Sequence, residues 1–180
     1  EELKSLLRYV YQTKNPLTFP VSGPGSVGME FCFVNMVAPG DKVIVCQNGV
    51  FGGRMLENVI RCGGVPVLVD CDAEPLAAMA ARCGGAVSHW VADVTDLPAM
   101  EQVVAQTMAR HGRIDVVFAN AGVAAFGPLA LVDPQAWKRC VEVNVFGVFN
   151  TVRAALPAVM QARGYVLINA SVSSFAHPPV

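Results

Sequence analysis

A large excess of charge, a long apolar run and paired cysteines are all missing from this sequence, and each absence excludes a class of function. Thirteen lysine and arginine residues nearly balance fourteen aspartate and glutamate residues, which leaves a formal net charge of −1. Because nucleic-acid-binding domains carry a basic patch, this balance argues against a nucleic-acid partner. No apolar run reaches the roughly 20 residues of a membrane-spanning helix and no signal peptide is recognisable, so we expect no membrane partner.

The cysteines and histidines also form no recognisable site. None of the six cysteines has a C-x-x-C partner, and the three histidines are scattered along the chain. We therefore predict reduced core thiols, no metal site and a cytoplasmic location. An initiating methionine is lacking as well, and the opening "EELKSLLRYVYQTKN" already has a helical pattern, which favours a fragment or a processed product.

What the sequence does contain is a strongly apolar α/β pattern. Apolar residues make up 53% of the 180 residues, and the mean hydropathy is +0.45. From Asp41 onward, helical patterns alternate with the strand-like runs "DKVIVC", "VPVLVD", "AVSHWVAD", "RIDVVFANAG" and "YVLINAS". This alternation predicts a doubly wound parallel sheet of five strands, Rossmann-like and incomplete at the C-terminus, with an N-terminal helix-loop-helix extension. The last and longest helix is expected to bend near Gly147 and Pro157.

Small or polar residues follow three successive strand patterns. Asp70 ends "VPVLVD", Asp93 ends "AVSHWVAD", and Gly122 closes the stretch "NAG" that ends the next strand. The carboxyl ends of parallel strands form the edge at which such sheets bind ligands, and an acid there can hold the ribose of a dinucleotide. A glycine lets a cofactor approach the backbone. Each residue taken alone has a structural alternative, such as capping the next helix.

The motifs "DVTD", "NAG", "VNVFGVFN" and "GYVLINAS" occur in an order and spacing that resembles the short-chain dehydrogenase/reductase family, from about Arg61 to the end of the sequence. The resemblance implies an oxidoreductase that transfers hydride between a nicotinamide cofactor, NAD(P), and an alcohol or carbonyl compound. It also implies contacts of two residues with adenine and a role of three others on the adenosine side of the site. These are Asp93 and Val94 for adenine, and Asn120, Ala121 and Gly122 for the adenosine side.

The same resemblance implies catalytic roles for two further residues. Asn144 would order the water of a proton relay, and Ser171 would polarise the substrate carbonyl. Ser173 and Ser174 lie nearby but fit the spacing less well. Because an acid repels a 2′-phosphate, Asp70 would favour NAD over NADP.

The sequence departs from the family at two points. The family's catalytic tyrosine has a lysine four residues later and is expected beyond Ser171, but no tyrosine in these 180 residues has such a lysine. Tyr165 is followed at that spacing by Asn169. The glycine-rich T-G-x-x-x-G-I-G loop is also absent before "VPVLVD". We therefore predict that this polypeptide does not transfer hydride by itself.

A different glycine pattern occurs near the N-terminus, where Gly23, Gly25 and Gly28 spell G-x-G-x-x-G after the apparent strand "LTFPV". A dinucleotide fingerprint requires an acid about 20 residues later, at the end of the next strand. That strand, "KVIVC", ends at Cys46 without an acid. The segments "LRYVYQTKNPLTFPVSGPGSVGME", "VNMVAPGDKVIV" and "NGVFGGRMLENVIRCGG" instead resemble class V aminotransferases that act on alanine or serine and glyoxylate. This resemblance covers about residues 1–66.

The aminotransferase resemblance implies pyridoxal phosphate as the ancestral cofactor of this segment. Gly25 and Ser26 would hold its phosphate at a helix N-terminus, and Phe51 would stack on the pyridine ring. The alternative is that these glycines only make a tight turn. Pro24 departs from the hydroxyl residue usual in the family and removes an N–H donor. The only lysine of the dehydrogenase-like part, Lys138, is expected on a solvated helix face, so no lysine is placed to form a Schiff base.

The two resemblances overlap between residues 61 and 66. The sequence therefore predicts a hybrid, with an aminotransferase-like segment at 1–66 and a truncated dehydrogenase-like Rossmann domain at 61–180. Three classes of function stay open: a nicotinamide-dependent oxidoreductase, a pyridoxal phosphate-dependent aminotransferase fragment, and a non-catalytic scaffold. A small-molecule substrate of unknown identity is expected in the first two classes, and a homo-oligomer stays open.

Overall fold

The computed structural model describes residues 1–46, 49–83, 87–128 and 130–171. Five strands and seven α-helices follow one another in this part of the chain. The strands are β1 (Lys42–Cys46), β2 (Val65–Asp70), β3 (Ser88–Val91), β4 (Val116–Ala119) and β5 (Tyr165–Ile168). The helices are α1 (Glu2–Val10), α2 (Gly25–Met36), α3 (Gly49–Arg61), α4 (Ala73–Arg82), α5 (Leu97–His111), α6 (Pro134–Val141) and α7 (Val148–Ala162).

The five strands form one parallel sheet in the order β3-β2-β1-β4-β5. In the central pair of β1 with β2, Cys46 lies opposite Val69, and β2 in turn places Asp70 opposite Val91 of β3. Strand order reverses direction at β1, which is the switch point of a doubly wound sheet. The predicted α/β class, the five parallel strands and the N-terminal helix-loop-helix extension are therefore confirmed.

Aspartate side chains set the starts of three helices. Asp72, Asp96 and Asp133 each precede a helix and accept a hydrogen bond from a backbone N–H of its first turn. A proline follows in the first turn of α5 and of α6, where its missing N–H costs nothing. Gly112 ends α5 in the left-handed conformation, with φ of 73°. Local sequence signals therefore fix the helices that flank the ligand edge of the sheet.

Helices cover both faces of the sheet. Because neighbouring residues of a strand point to opposite faces, each strand contributes side chains to two core layers. Ile44 and Cys46 belong to a core layer formed with α5 and α7, whereas Val43 and Val45 belong to a layer formed with α2, α3 and α4. Phe33 of α2 is fully buried in the second layer. Strands buried on both faces account for the continuous apolar runs of the sequence.

Helices α6 and α7 are joined by a π-helical segment, Glu142–Gly147, into one continuous helix. Gly147, one of the two positions where a bend was expected, is the last residue of this segment, and α7 continues through Pro157, the other position, to Ala162. The continuous helix, Pro134–Ala162, is long and apolar enough to cross a membrane by length and composition. In this fold one part of its apolar residues is buried in the core layer, namely Val143, Ala155, Ala158 and Val159, whereas others such as Phe146, Phe149 and Met160 are exposed.

The N-terminal segment differs from the expectation at one point. The apolar stretch "LTFPV", residues 17–21, is not a strand. Pro20 cannot donate to a strand ladder, and the ring of Phe19 packs edge-on against Phe31 of α2, with ring centroids 6.3 Å apart. The glycine pattern of residues 23–28 therefore does not follow a strand, and the strand-loop-helix context of a dinucleotide fingerprint is absent here.

Candidate functional site

The polar residues that follow the strands lie at one edge of the sheet. Asp70 is the last residue of β2, Asp93 lies two residues beyond β3, and Asn120 directly follows β4. Ser171 lies three residues beyond the end of β5 and is exposed. Since all five strands are parallel, these positions share the carboxyl edge, as the sequence predicted. The alternative serines, Ser173 and Ser174, lie outside the described residues.

A pocket of about 100 Å³ opens at this edge, between the ends of β2, β3 and β4. Five of the residues predicted to bind the adenosine part of a cofactor line it, and so do residues that the sequence did not single out. The lining consists of Val69, Asp70, Cys71, Ala92, Asp93, Val94, Ala121, Gly122, Val123, Arg139 and Val143. Apolar walls with two convergent carboxylates are what a small-molecule site for a nucleoside requires.

The carboxylate of Asp93 is held on both oxygens. Its Oδ1 accepts hydrogen bonds from the backbone N–H and the hydroxyl of Thr95, at 2.9 and 2.8 Å. Its Oδ2 accepts from Arg139 Nη2 at 2.7 Å. Partial burial opposes ionisation, but the Thr95 N–H and the Arg139 guanidinium outweigh it, so the pKa of Asp93 lies below its usual range. Asp93 is therefore a fixed anion at the pocket wall.

The neighbouring residue Val94 is held by the long helix. Its carbonyl oxygen accepts a hydrogen bond from the buried Asn150 side chain at 2.9 Å. A Cβ on Gly147 would lie 2.5 Å from Val94 Cγ2, so only glycine at that position lets the helix come this close. The dipeptide predicted to contact adenine is thus fixed by its backbone as well as by its side chains.

Asp70 is half-buried at the tip of β2, where its Oδ1 accepts a hydrogen bond from the backbone N–H of Asp72 at 3.0 Å. The exposed thiol of Cys71 follows it. Desolvation and the nearby carboxylates of Asp70 and Asp93 raise the pKa of Cys71. The carboxylates of Asp70 and Asp93 thus lie at the same end of the pocket as this thiol.

Asn120 connects the ends of three strands rather than facing the pocket. Its buried side chain donates to the Cys46 carbonyl at the end of β1 at 3.2 Å and accepts from Asn169, beyond β5, at 3.0 Å. The Cys46 thiol is fully buried, and desolvation raises its pKa to about 12. The amide of Asn120 therefore stabilises the edge on which the predicted site stands.

Asn144 lies in the π-helical segment and holds the loop after β4. Its Oδ1 accepts from the Val123 N–H at 2.9 Å, and its Nδ2 donates to the Val123 carbonyl at 2.8 Å. A Cβ added to Gly122 would come within 3.2 Å of Asn144 Oδ1. Asn144 and Gly122 are thus brought together, and the absence of a side chain at Gly122 leaves room for this contact.

The N-terminal candidates lie away from this edge. Gly25 is the first residue of α2, and Ser26 lines a second pocket of about 210 Å³ between α2 and α3. Phe51 of α3 is 57% exposed, and the Arg54 guanidinium lies 6.0 Å from its ring centroid. Arg54 also lines the second pocket, whereas Phe51 is not among its lining residues. No lysine lines either pocket.

The cysteines, which the sequence predicts to be reduced thiols without a metal, are dispersed over the fold. All six cysteines are unpaired thiols, and only Cys71 is exposed. In the part of the chain that the structure describes, no three histidine, cysteine, aspartate or glutamate side chains are grouped as metal ligands would be.

The family of the chain is shown by its match to known proteins. A family model described as short chain dehydrogenase matches residues 42–180. The chain belongs to the short-chain dehydrogenase family. The match begins at Lys42, the first residue of β1, so it includes β1 and α3 as well as the motifs that begin near Arg61. The β1-α3-β2 unit therefore takes the place of the family's first βαβ unit even without the family's glycine loop.

Individual members of the short-chain dehydrogenase family support this assignment. A 2-keto-3-deoxy-L-fuconate dehydrogenase of Xanthomonas campestris is 32% identical over 139 residues, which is 75% of this chain and 44% of that protein. The structure of a short chain dehydrogenase/reductase from Burkholderia phymatum, in complex with NAD, superposes with a TM-score of 0.72 at 27% identity. The superposition covers 78% of this chain and 52% of the Burkholderia phymatum chain. The chain thus spans about half the length of these dehydrogenase relatives.

A second relative lies outside the dehydrogenase family. The alanine–glyoxylate aminotransferase of Mus musculus is 44% identical over 63 residues, which is 35% of this chain and 15% of that enzyme. This match supports in part the aminotransferase-like segment predicted from the sequence.

The sequence analysis missed several residues of this dehydrogenase edge. Arg139, Asn150, Asn169 and Cys71 all contact or neighbour the predicted site. A signal existed for Cys71, which directly follows the acid of β2. The others act across distances of 46 to 56 residues in sequence, and no local pattern indicates such pairs.

The residues present fit one side of an NAD(P) molecule better than the other. The pocket, the two acids and Gly122 suit an adenosine. The connection between β1 and α3, where the family has its glycine-rich loop, lies partly outside the described residues: β1 ends at the buried Cys46 and α3 begins at Gly49. Gly49 has φ of 53°, a conformation that favours glycine.

Proposed function

We propose that this chain carries the adenosine-binding half of an NAD-dependent oxidoreductase site. NAD supplies the nicotinamide ring that accepts hydride from an alcohol carbon. The pocket formed by the ends of β2, β3 and β4 carries the proposal, because two acids, small residues and apolar walls converge there at the switch-point edge. Asp93 and Val94 would contact adenine, and Ala121 and Gly122 would border the adenosine.

A preference for NAD over NADP follows from the charge at the tip of β2. Asp70 can accept hydrogen bonds from both ribose hydroxyls of NAD, whereas the 2′-phosphate of NADP would meet its carboxylate. Asp93 adds a second carboxylate, but Arg139 offsets its charge. We therefore assign the discrimination between the two cofactors to Asp70.

Hydride transfer would need groups at the other end of the same edge. In alcohol oxidation NAD would accept the hydride, and residues of the protein would hold the substrate oxygen and accept its proton. Ser171 would hydrogen-bond the substrate oxygen, and Asn144 would support the proton path. A positioned acid or base typically contributes about 10²- to 10⁴-fold to such a rate. Since residues 1–180 contain no tyrosine followed four residues later by lysine, we expect this polypeptide to bind NAD without measurable hydride transfer.

Binding and turnover can be tested separately. Calorimetric titration of the 180-residue protein should show NAD binding, weaker NADP binding, and a loss of NAD affinity in Asp70→Ala. A hydrogen bond to a charged group contributes about 1.5–3 kcal/mol, which is roughly 10- to 150-fold in Kd. Glu101→Gln removes an exposed carboxylate of α5 outside the pocket lining and should bind NAD like the wild type. Equal affinities for NAD and NADP in the wild type would contradict the proposal.

Turnover is measured as NADH formation with a panel of secondary alcohols. We expect none above background. Turnover in the wild-type polypeptide that disappears in an Asn144→Ala, Ser171→Ala double variant would overturn this expectation. It would also assign full dehydrogenase competence to these 180 residues.

A second candidate function follows from the 44% identity to an aminotransferase. Gly25, Ser26 and Phe51 would bind pyridoxal phosphate, but a lysine for the Schiff base is missing from the linings of both pockets. The residues present therefore do not fit a transaminase site. Borohydride reduction in the presence of pyridoxal phosphate, followed by mass spectrometry, should find no pyridoxyl group on Lys138, and finding one there would favour this second function.

The remaining expectations belong to the same proposal. The chain is a hybrid of an aminotransferase-like segment and a dehydrogenase-like domain, has a small molecule as the ligand of its site, lies in the cytoplasm, and binds neither nucleic acid nor membrane. If NAD and pyridoxal phosphate both fail to bind, the third class, a non-catalytic scaffold, describes it.

A further inference from the structure

Arg139 of α6 reaches the predicted adenine pocket from a helix that sequence reasoning did not connect with it. It lines the pocket together with Asp70, Asp93 and Val94. We propose that Arg139 is a positioning residue for adenine recognition, whose guanidinium holds the Asp93 carboxylate in place at the pocket wall. This inference rests on the proposed function, since it names how one residue of the NAD site is held.

The geometry shows one guanidinium bonded to two groups of the same turn. Arg139 Nη2 donates to Asp93 Oδ2 at 2.7 Å, and Nη1 donates to Thr95 Oγ1 at 3.4 Å. The Thr95 hydroxyl donates in turn to Asp93 Oδ1. The three side chains thus form a closed set of hydrogen bonds, which leaves the carboxylate little freedom to rotate. The planar fork of arginine donates to the two partners from two different nitrogens, whereas lysine donates from a single nitrogen.

Other residues of the same long helix also hold the backbone at the pocket in place. Asn150 holds the Val94 carbonyl, and Gly147 gives Val94 room to approach. Asn144, five residues after Arg139, holds the Val123 backbone on the opposite side of the pocket. A π-helical segment bonds residues five apart, and such segments are frequent at functional sites. The segment therefore allows one helix to hold both the turn after β3 and the loop after β4.

The charged groups around Asp93 include two further carboxylates, Asp70 and Glu142, and the guanidinium of Arg139. Asp93 is faced by Arg139 from α6, by the Cys71 thiol and Asp70 from the end of β2, and Glu142 lies on the same helix as Arg139. The hydrogen bond to Asp93 raises the pKa of Arg139, although partial burial opposes this. In the other direction, Arg139 is among the groups that lower the pKa of Asp93. Removing Arg139 should therefore raise the pKa of Asp93 and free its carboxylate to rotate.

The test compares Arg139→Met and Arg139→Lys with Arg153→Met as the matched control. Arg153 is an exposed arginine of the same continuous helix and lies over the Phe149 ring, outside the pocket lining. NMR titration of labelled aspartate carboxyls gives the pKa of Asp93 without any cofactor. Calorimetric titration with NAD, repeated between pH 4 and 8, gives the affinity. Circular dichroism verifies that each variant is folded.

We expect Arg139→Met to raise the pKa of Asp93 and to weaken NAD binding by about fivefold, the size typical of a partly exposed ion pair. Its NAD affinity should begin to fall at a higher pH than in the wild type. Arg139→Lys should restore part of the pKa shift and part of the affinity, whereas Arg153→Met should change neither.

An Asp93→Asn background isolates the positioning role. If Arg139 acts through Asp93, Arg139→Met should have almost no further effect on NAD affinity in that background. An equal loss in both backgrounds would mean that Arg139 touches the cofactor itself, and it would overturn the positioning role. An unchanged pKa of Asp93 in Arg139→Met would overturn it too. A wild type that binds no NAD would instead overturn the proposed function, and with it the role in adenine recognition.

Discussion

Residues 1–36 and residues 42–171 differ in how much of their apolar surface they bury. Helix α1 buries no residue and α2 buries only Phe33, whereas the strands β1, β2 and β4 are almost entirely buried. The matches to known proteins do not follow this division, because the 63-residue aminotransferase match is longer than residues 1–36. The aminotransferase match is 44% identical over its short length, and the dehydrogenase match is 32% identical over more than twice that length. Sequence identity therefore reports the ancestry of a segment, and burial reports whether the fold depends on it.

The comparison is sharpest in α2, which is apolar around its whole circumference. Val27, Phe31 and Val34 are 43%, 40% and 64% exposed, although the helix also carries the fully buried Phe33. A helix of this composition is normally buried on all sides. In this chain one face of α2 meets the body: the Phe33 ring packs edge-on against Phe118 at 5.3 Å between centroids, and Met29, Cys32 and Met36 pack against the same core layer. The N-terminal segment is thus attached to the dehydrogenase body mainly by one face of α2.

The largest difference in stability is expected when a glycine is replaced by alanine in each of the two regions. A Cβ on Gly164 would lie 1.8 Å from the Asp115 carbonyl oxygen, so Gly164→Ala must separate β4 from β5. Gly28, inside α2, has nothing within 4 Å of such a Cβ. We expect Gly164→Ala to lower the free energy of unfolding by more than about 4 kcal/mol. Gly28→Ala should leave it unchanged or raise it by about 0.5–1 kcal/mol.

Urea denaturation of the two glycine variants measures this difference. A comparable loss in both would mean that the N-terminal segment is packed as tightly as the sheet, and the comparison between the regions would fail.

The next effect concerns the attachment of α2. Phe33→Ala removes a fully buried ring and should lower the free energy of unfolding by about 3–5 kcal/mol. Phe31→Ala, two residues earlier, removes a ring that is 40% exposed and contacts Phe19, so we expect a loss below about 1 kcal/mol. Limited proteolysis of the Phe33→Ala variant should cut within residues 1–36 first. Cleavage that begins in the sheet instead would show that Phe33 stabilises the body rather than the attachment.

Much of the body could be predicted because its signals are local. Continuous apolar strands such as the one that contains Val43 and Ile44, the aspartate caps such as Asp96, and acids at strand ends such as Asp70 follow from short stretches of sequence. The placement of Asp93 beside Asp70 at one edge then follows from the parallel topology alone.

The remainder depends on tertiary structure or on helix type. The π-helical segment gives no signal in composition, yet it determines which residues of the long helix reach the pocket. The Asn150 contact with the Val94 carbonyl joins residues 56 positions apart. The strand expected at "LTFPV" was wrong because an apolar run next to Pro20 has no neighbouring strand to pair with.

The smallest expected effect is a dependence of stability on pH that arises from histidine. It belongs to residues 42–171, since residues 1–36 contain no histidine. His111 ends α5, and its Nε2 lies 2.8 Å from the hydroxyl of the buried Ser88. Burial, with help from the positive charges of Lys42 and Arg110, lowers the pKa of His111. As the pH falls, the unfolded chain therefore protonates this ring at a higher pH than the folded chain does, and protonation favours unfolding.

The contribution of neutral His111 to the free energy of unfolding should be fully present above the ordinary histidine pKa of about 6.5. It should be lost as the pH falls through the lower pKa of the folded state. We expect thermal unfolding between pH 8 and pH 5 to show a modest decrease in Tm towards acid. His111→Gln should flatten this slope, because glutamine can still hydrogen-bond Ser88 but does not titrate. His89→Gln, at an exposed position of β3, is the matched control and should keep the wild-type slope. An unaltered slope in His111→Gln would assign the acid sensitivity to other groups of the dehydrogenase body.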